Sequence, residues 1–365
     1  MKAVVLREVG QPAAVEELTL RPVSRHEVIV RLAASGVCHT DLSVRDGGMP
    51  ALLPCTLGHE GAGIVGEVGA DVTTVRPGDH VVLTWNVPCR SCPDCLRGDS
   101  HLCPSGLQHA FGEPYASSPD GRVWPSMGAG TLAEQTVVPA AAVVPVDPSL
   151  PLDLAALLGC AVTTGVGAVV RTADVRPGET VLVIGCGGVG LAAIQGARLA
   201  GAARIIAADT EAAQLPTATA NGATDTVDAT QTDIVTAVRE LTGGAGVDHG
   251  IEVVGKAATI RAAYDATRRG GTVTLVGAAA IDETVTFPAL SLMADGKTTR
   301  GSVYGASDPA RDIPTLADLA MRGRLDLEAL VTRRIGLDDV EAAFYDMAAG
   351  RGARSVVCVG HAGRG

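Results

Sequence analysis

Nine cysteines stand in a chain of 365 residues, and four of them fall within residues 89–103. The spacing Cys89-x2-Cys92-x2-Cys95-x7-Cys103 puts four thiols on one loop, with Pro88, Pro93 and Gly98 supplying turns. Zinc takes four tetrahedral ligands and binds thiolate sulfur at about 2.3 Å, so one loop of this kind can wrap one ion. Four sulfur donors leave no position for a substrate, which makes the expected site structural. An iron–sulfur cluster is the chemical alternative.

A second donor set is dispersed. Gly36-Val37-Cys38-His39-Thr40-Asp41, Gly58-His59-Glu60-Gly61 and Gly159-Cys160 offer a cysteine, a histidine and a cysteine from three separate segments. Three protein donors leave a fourth position for water or substrate, which a catalytic zinc requires. On spacing alone, Cys160 reads equally well as a small core residue and His59 as a structural histidine.

A third pattern concerns phosphate. Gly185-Cys186-Gly187-Gly188-Val189-Gly190 follows an apolar run at 180–184 and opens a helical pattern at 189–200. In a strand–turn–helix setting the first glycine makes the turn and the second admits a pyrophosphate. The third lets helix and strand pack closely, while the helix N-terminus faces the phosphates. Asp209 lies 19 residues beyond Gly190, at the end of the next apolar run. A carboxylate there accepts the ribose hydroxyls of NAD and repels the 2′-phosphate of NADP. The plain alternative is a glycine-rich turn beside a surface acid.

These groups need elements to position them. Residues 1–150 are rich in Val, Gly and Pro, with short strand-like runs at 28–32, 63–68 and 80–83, the pattern of a small β-rich domain. Near Pro151 the character changes. Residues 152–158 read as a helix, and beyond them strands at 180–184, 203–208, 250–254 and 272–276 alternate with helices at 189–200, 233–241 and 257–268. Such alternation predicts an α/β, doubly wound parallel sheet. Helices at 313–322 and 337–350 and a strand at 355–359 are expected to rejoin the first domain. The expected division is 1–161 with 304–365, and 162–303.

Composition excludes some functions. A formal net charge of -11 without a Lys/Arg cluster argues against nucleic acid, whose phosphates need a positive field. No apolar run is long enough for a membrane span. The opening residues Met1 to Arg7 carry no secretion signal and read as a first strand, so reduced cysteines and a cytoplasmic location are expected.

Taken in order, Cys38-His39-Thr40-Asp41, Gly58-His59-Glu60-Gly61-Ala62-Gly63, the four-cysteine loop, Gly159-Cys160 and the glycine turn resemble the zinc-containing alcohol dehydrogenases of the medium-chain dehydrogenase family. The resemblance runs from about residue 1 to 360, and the alcohol and glutathione-dependent formaldehyde branches are nearest. It implies a GroES-like β-rich catalytic domain interrupted by a Rossmann NAD-binding domain, in a homodimer or homotetramer. It also implies two zinc ions per subunit and a small-molecule alcohol or aldehyde as substrate. By that resemblance Cys38, His59 and Cys160 hold a catalytic zinc, and Cys89, Cys92, Cys95 and Cys103 a structural one. Thr40 takes the alcohol proton, Asp41 orients His59, and Glu60 tunes or transiently contacts the metal. His39 and Arg354 match basic groups on the pyrophosphate, beside Gly185, Gly187, Gly188, Val189, Gly190 and Asp209. Arg354 also reads as a solvated strand-edge cation.

Trp85 matches a substrate-lining aromatic, able to narrow the pocket or stack on an apolar or aromatic alcohol, and also reads as plain core. The chemistry implied is zinc-assisted loss of the alcohol proton with hydride transfer to nicotinamide. One departure is Ser43, where many relatives carry a histidine that ends the proton relay. Residues 104–128 are the least family-like, so substrate choice is expected there. Cys55, Cys186 and Cys358 read as packing residues. His26, His80, His101, His109, His249 and His361 read as surface or structural groups. Rival readings are a dehydrogenase of a hydroxymethyl thiol adduct, a nicotinoprotein that keeps its cofactor, and a non-catalytic nucleotide-binding protein.

Overall fold

A computed structural model describes residues 1–351 and 354–359, so the expectation for His361 lies outside the described residues. The chain divides into two compact units, Met1–Cys160 with Asp308–Gly365, and Ala161–Ser307. These boundaries lie one and four residues from those expected at 161 and 303. The second differs because Gly305 packs on the backbone of the Ala161–Gly167 helix. A Cβ at Gly305 would meet the Thr163 carbonyl at 2.4 Å.

The first unit is built on two sheets. In the seven-stranded one, the path runs Val143–Pro145, His80–Leu83, Gly61–Val68, Glu27–Gly36, Ser355–Cys358 and Arg333–Ile335, and Gln135–Pro139 also pairs with Glu27–Gly36. The Glu27–Gly36 strand turns Val28, Val30, Leu32 and Ala34 inward and keeps Arg31 exposed, the period-two burial that a one-sided sheet demands. Its antiparallel register with Gly61–Val68 sets Ser35 opposite Gly61 and Ala34 opposite Ala62. The chain therefore leaves Gly36 and enters Gly61 at the same end of the sheet. That end is where Val37–Asp41 and Gly58–Glu60 must lie. The C-terminal strand joins there too, with Val356 opposite Gly36.

The six-stranded sheet runs Ala14–Glu17, Lys2–Leu6, Cys55–Thr56, Gly121–Pro125, Ala116–Ser118 and Thr19–Leu20. Much of the atypical 104–128 stretch is thus the Ala116–Ser118 and Gly121–Pro125 hairpin, preceded by a short helix Pro104–His109.

The second unit carries six parallel strands in the order Asp225–Asp228, Arg204–Asp209, Thr180–Ile184, Val247–Glu252, Thr267–Leu275 and Thr298–Gly301. Val181, Leu182, Val183 and Ile184 are all buried, as a central parallel strand covered on both faces requires. Helices Ile234–Leu241 and Ala257–Ala266 cover one face through a core that includes Leu182, Ile184, Val238, Ala263 and Tyr264. The expected strand at 250–254 sits three residues early at its start and stops at Glu252. Val254 and Gly255 leave the ladder, their N–H groups bound by the Glu252 side chain. Asp225–Asp228 and Thr298–Gly301 were not anticipated, being short and polar at the two edges. Among the described residues no single helix is long and apolar enough to cross a membrane.

Candidate functional site

Cys38, His59 and Cys160 come together in the first unit, each offering one donor atom, all within 4.8 Å of one another. All three are buried. Cys38 precedes the helix His39–Asp46, and His59 sits between Gly58 and Gly61 at the neighbouring strand end. Gly58 has φ +95, and a Cβ there would meet the Leu132 nitrogen at 2.4 Å, so only glycine lets this segment approach.

Asp41 ties the two segments together. Its Oδ1 accepts from the Gly58 N–H at 3.0 Å and lies 3.0 Å from His59 Nδ1, while its Oδ2 accepts from the Cys38 N–H at 3.1 Å. With Nδ1 donating to Asp41, Nε2 is the imidazole atom left for a metal.

Cys160 reaches the cluster by a break in the helical run. It has φ -146 and ψ -73, between a tight turn Ala156–Gly159 and the helix Ala161–Gly167. Cys160 therefore lies in the break and not on a helix. Gly159 lets this segment lie close to the His80–Leu83 strand, since a Cβ there would come 2.7 Å from the Leu83 carbonyl.

The electrostatics of these donors suit a cation. The Cys38 thiol is held well below its usual range, first by the bond from the Cys160 thiol and then by His59. Donating that bond, together with burial, pushes Cys160 up. Against the cost of burial, Asp41 and Cys38 raise the His59 imidazole. A pocket that favours an anionic sulfur and a cationic ring together draws positive charge. Zinc, with bonds of about 2.0–2.3 Å to nitrogen and sulfur, fits such a donor set.

Glu60 and Arg354 adjoin the triad as a fully buried pair. Arg354 Nη1 donates to Glu60 Oε2 at 2.8 Å and to the Val37 carbonyl at 2.8 Å. Arg354 is 4% exposed, which excludes the solvated strand-edge cation. Glu60 Oε2 is turned to this guanidinium. The reason is space: a Cβ on Gly36 would meet Glu60 Oε2 at 2.6 Å, so Gly36 leaves the room this carboxylate occupies. Sequence reading missed the pair because its members are 294 positions apart.

The other expected residues fall as follows. His39 is exposed and Thr40 half-buried in the first turn of the His39–Asp46 helix. Ser43 is half-buried one turn further along that helix. Trp85 is half-buried, two residues past the His80–Leu83 strand.

Cys89, Cys92, Cys95 and Cys103 form the second cluster, again with donors within 4.8 Å. Backbone N–H groups donate to the sulfurs: Cys92 to Cys89 at 3.3 Å, Cys95 to Cys92 at 3.5 Å and Cys89 to Cys103 at 3.3 Å. The Cys89 thiol is lowered to about 5, chiefly by the Ser91 N–H and hydroxyl. Four sulfur donors match closed, tetrahedral zinc. The loop is tied to the rest of its unit by the two-pronged pair of Arg90 with Asp308.

In the second unit the glycine turn follows Ile184. Gly185 has φ +99, and a Cβ on Gly190 would lie 1.8 Å from the Gly185 carbonyl. Gly187 differs, because a Cβ there would meet nothing within 4 Å. Its Cα therefore faces open space at the N-terminus of the helix Gly188–Ala200, a cradle of the kind that takes a pyrophosphate. Val189 is half-buried in the first turn. Asp209 ends its strand beside the turn, with Oδ2 accepting from the Cys186 N–H at 2.6 Å and Oδ1 from the Glu211 N–H at 2.8 Å.

Two family models match the chain. The alcohol dehydrogenase GroES-like domain covers residues 24–148, and the zinc-binding dehydrogenase domain covers 188–322. An S-(hydroxymethyl)glutathione dehydrogenase of Synechocystis sp. is 37% identical over 98% of this chain and 99% of its own. A solved alcohol dehydrogenase zinc-binding domain protein of Burkholderia ambifaria is 36% identical, with a TM-score of 0.93 over 99% of both chains. The benzyl alcohol dehydrogenase of Acinetobacter calcoaceticus is 31% identical, with a TM-score of 0.91 over 98% of this chain and 99% of its own.

A GroES-like domain that holds two zinc-type clusters, followed by a dinucleotide fold, defines a metal-assisted dehydrogenase. The chain belongs to the zinc-binding alcohol dehydrogenases of the medium-chain family. It is an enzyme, an oxidoreductase that interconverts alcohols with aldehydes or ketones, with zinc and NAD as its cofactors.

Proposed function

We propose that Cys38, His59 and Cys160 hold the catalytic zinc, and that Cys89, Cys92, Cys95 and Cys103 hold a structural zinc. The substrate in this reading is an apolar or aromatic alcohol. The observation that carries the reading is the number of donors: three buried atoms in one cluster leave a position for substrate oxygen, and four in the other do not. When bound, zinc supplies the Lewis acidity that makes an alcohol proton easier to lose, and NAD supplies the hydride acceptor. The chain's own residues do the rest. Asp41 fixes the ring of His59, Thr40 takes the proton, and Ser43 stands where many relatives have an imidazole. The relay then passes to water beyond Thr40. Gly187 and the helix N-terminus receive the pyrophosphate, for which His39 and Arg354 are the basic groups. Glu60 and the Val37 carbonyl hold the Arg354 guanidinium in place. Asp209 favours NAD.

A thiol-adduct substrate has one specific support, the printed activity of the 37%-identical Synechocystis relative. Against it stands the acidic balance of the chain, 40 Asp and Glu against 29 Lys and Arg, where the adduct's carboxylates need a cationic pocket. NADH formation from benzyl-type and aliphatic alcohols, compared with S-(hydroxymethyl)glutathione, separates the two. A preference for the glutathione adduct of more than roughly 100-fold in kcat/KM, or about 2.7 kcal/mol, reverses the proposal.

Self-association into a homodimer or homotetramer is part of the same reading. It is supported by the helix Ala289–Ala294, which buries none of its residues and leaves Leu290 and Met293 more than 70% exposed. Next to it in sequence lies the exposed edge strand Thr298–Gly301. Light scattering of the eluted protein tests it. All nine cysteines are free, which supports a reducing, cytoplasmic location.

A further inference from the structure

Strand Val247–Glu252 ends on a carboxylate that is fully buried and lies outside every role given above. Glu252 Oε1 accepts three bonds, from the N–H groups of Val254 and Gly255 and from the Thr259 hydroxyl, each at 2.8 Å. Its main-chain carbonyl accepts from Val276 at 2.8 Å and Gly277 at 3.1 Å. In the sheet it stands opposite Ile184, the residue before Gly185, and the Val253 N–H donates to the Ile184 carbonyl at 3.1 Å. One residue thus binds the 253–255 turn, the first turn of the Ala257–Ala266 helix, the end of the Thr267–Leu275 strand and the strand that feeds the glycine turn.

The turn it holds is packed tightly on the glycine turn. A Cβ at Gly185 would lie 2.8 Å from Val254 Cγ2 and 2.9 Å from Val253 Cγ2, and one at Gly190 would lie 3.4 Å from Val253 Cγ2. On the other side, a Cβ at Gly277 would lie 2.1 Å from the Gly255 nitrogen. The 253–255 turn therefore has no slack in either direction. The second carboxylate oxygen, Oε2, is buried and has no partner among the described residues. Burial, partly offset by the bonds to Oε1, raises this carboxyl's pKa. Keeping an unpartnered carboxylate oxygen in such a place is costly.

We propose that Glu252 is a positioning residue of the dinucleotide site, holding Val253 and Val254 against Gly185 and Gly190 and so setting the shape of the turn that receives the pyrophosphate. The inference rests on the dinucleotide reading of that turn. Glu252 acts through the two valines and not by touching the cofactor.

The test uses the full-length, zinc-loaded protein and two independent variants. NADH affinity is read by fluorescence titration, kcat at saturating NAD, and amide hydrogen exchange in the cofactor-free protein. Glu252→Ala is expected to weaken NADH by about tenfold, the effect of three donors left without their acceptor, and to leave kcat within about twofold. Exchange is expected to quicken both at 253–257 and at 185–190. Glu252→Gln, which keeps an acceptor oxygen, is expected to bind NADH within about twofold of wild type. Val254→Ala leaves the carboxylate intact and is expected to weaken NADH in the same way, which keeps the proposal testable if Glu252→Ala does not fold. Unchanged NADH affinity in Val254→Ala overturns it. So does faster exchange in Glu252→Ala that stays within 253–260 and leaves the glycine turn as it was. Wild-type protein that binds no NADH overturns the dinucleotide reading itself.

Discussion

Replacing Asp41 by Asn is expected to weaken the three-donor metal site while the four-cysteine loop stays loaded. The two carboxylate oxygens of Asp41 face three donors: Gly58 N–H and His59 Nδ1 on one side, and Cys38 N–H on the other. An amide of the same shape has one acceptor oxygen and one NH2 group. Whichever way it is turned, the NH2 meets at least one N–H donor in a site that is 0% exposed at Asp41 and 1% at His59. A buried donor without an acceptor costs about 1–3 kcal/mol. Partners that orient metal-binding histidines are worth about 10–100-fold in affinity, or about 1.4–2.8 kcal/mol, so the two routes to the magnitude agree.

The assay is a chelator titration followed by zinc counting. Wild type is expected to release its zinc in two steps, the loop zinc and the triad zinc. In Asp41→Asn the triad step should move to roughly 10–100-fold lower chelator while the loop step stays in place. kcat/KM should fall with it and recover in part when zinc is supplied in excess. Two zinc ions held with an unshifted triad step, and kcat/KM within about twofold of wild type, would refute the geometry from which the prediction is drawn.

Gly187 and Gly190 give opposite expectations. Gly187→Ala should leave the unfolding midpoint of the cofactor-free protein unchanged and weaken NADH binding, since its Cβ enters open space that the pyrophosphate needs. Gly190→Ala should lower that midpoint by about 1–3 kcal/mol in stability, because its Cβ would overlap the Gly185 carbonyl. Equal effects in the two variants would argue against separate roles. Cys92→Ser should remove one zinc per chain, measured by elemental analysis, and lower the thermal midpoint, whereas full retention of both ions would exclude Cys92 as a ligand.

Glu27 tests the sign of a pH effect. Its carboxyl is lowered to about 2, chiefly by the bond from Arg21, whose Nη1 and Nη2 both donate at 2.6 Å. A depressed carboxyl stabilises above its unfolded value and loses that contribution as pH falls towards the folded one. Urea midpoints of wild type and Glu27→Gln should therefore differ most above about pH 5 and converge towards about pH 2. A difference that does not change with pH would show that the ion pair is not its source.

What could be read from the chain depended on how far apart the cooperating residues stand. The four-cysteine loop and the glycine turn are contiguous, so their types and spacing nearly specify their geometry before any fold is known. Cys38 and His59 are 21 positions apart, and their meeting became legible only through motif resemblance. Its physical cause is the register that places Ser35 opposite Gly61, and no local pattern reveals a register. Arg354 shows the limit most clearly. Beside Ser355 on a terminal strand it reads as a solvated cation, because nothing nearby in sequence is its partner. Antiparallel pairing of Val356 with Gly36 delivers it to Glu60.

The same physics explains the misplaced element ends. A strand pattern in Val and Ile continues through Val253 and Val254, yet the ladder stops at Glu252, whose side chain takes the N–H groups of Val254 and Gly255. Cys160 interrupts a helical composition at the point where its sulfur meets Cys38 and His59. In each case a polar or metal-binding demand overrides local propensity, and each override falls at a position proposed to hold zinc or to shape the cofactor turn. Departures from pattern in this chain are therefore guides to its chemistry. Glu252 was found by that route, as the point where a strand ends without any sequence signal to end it.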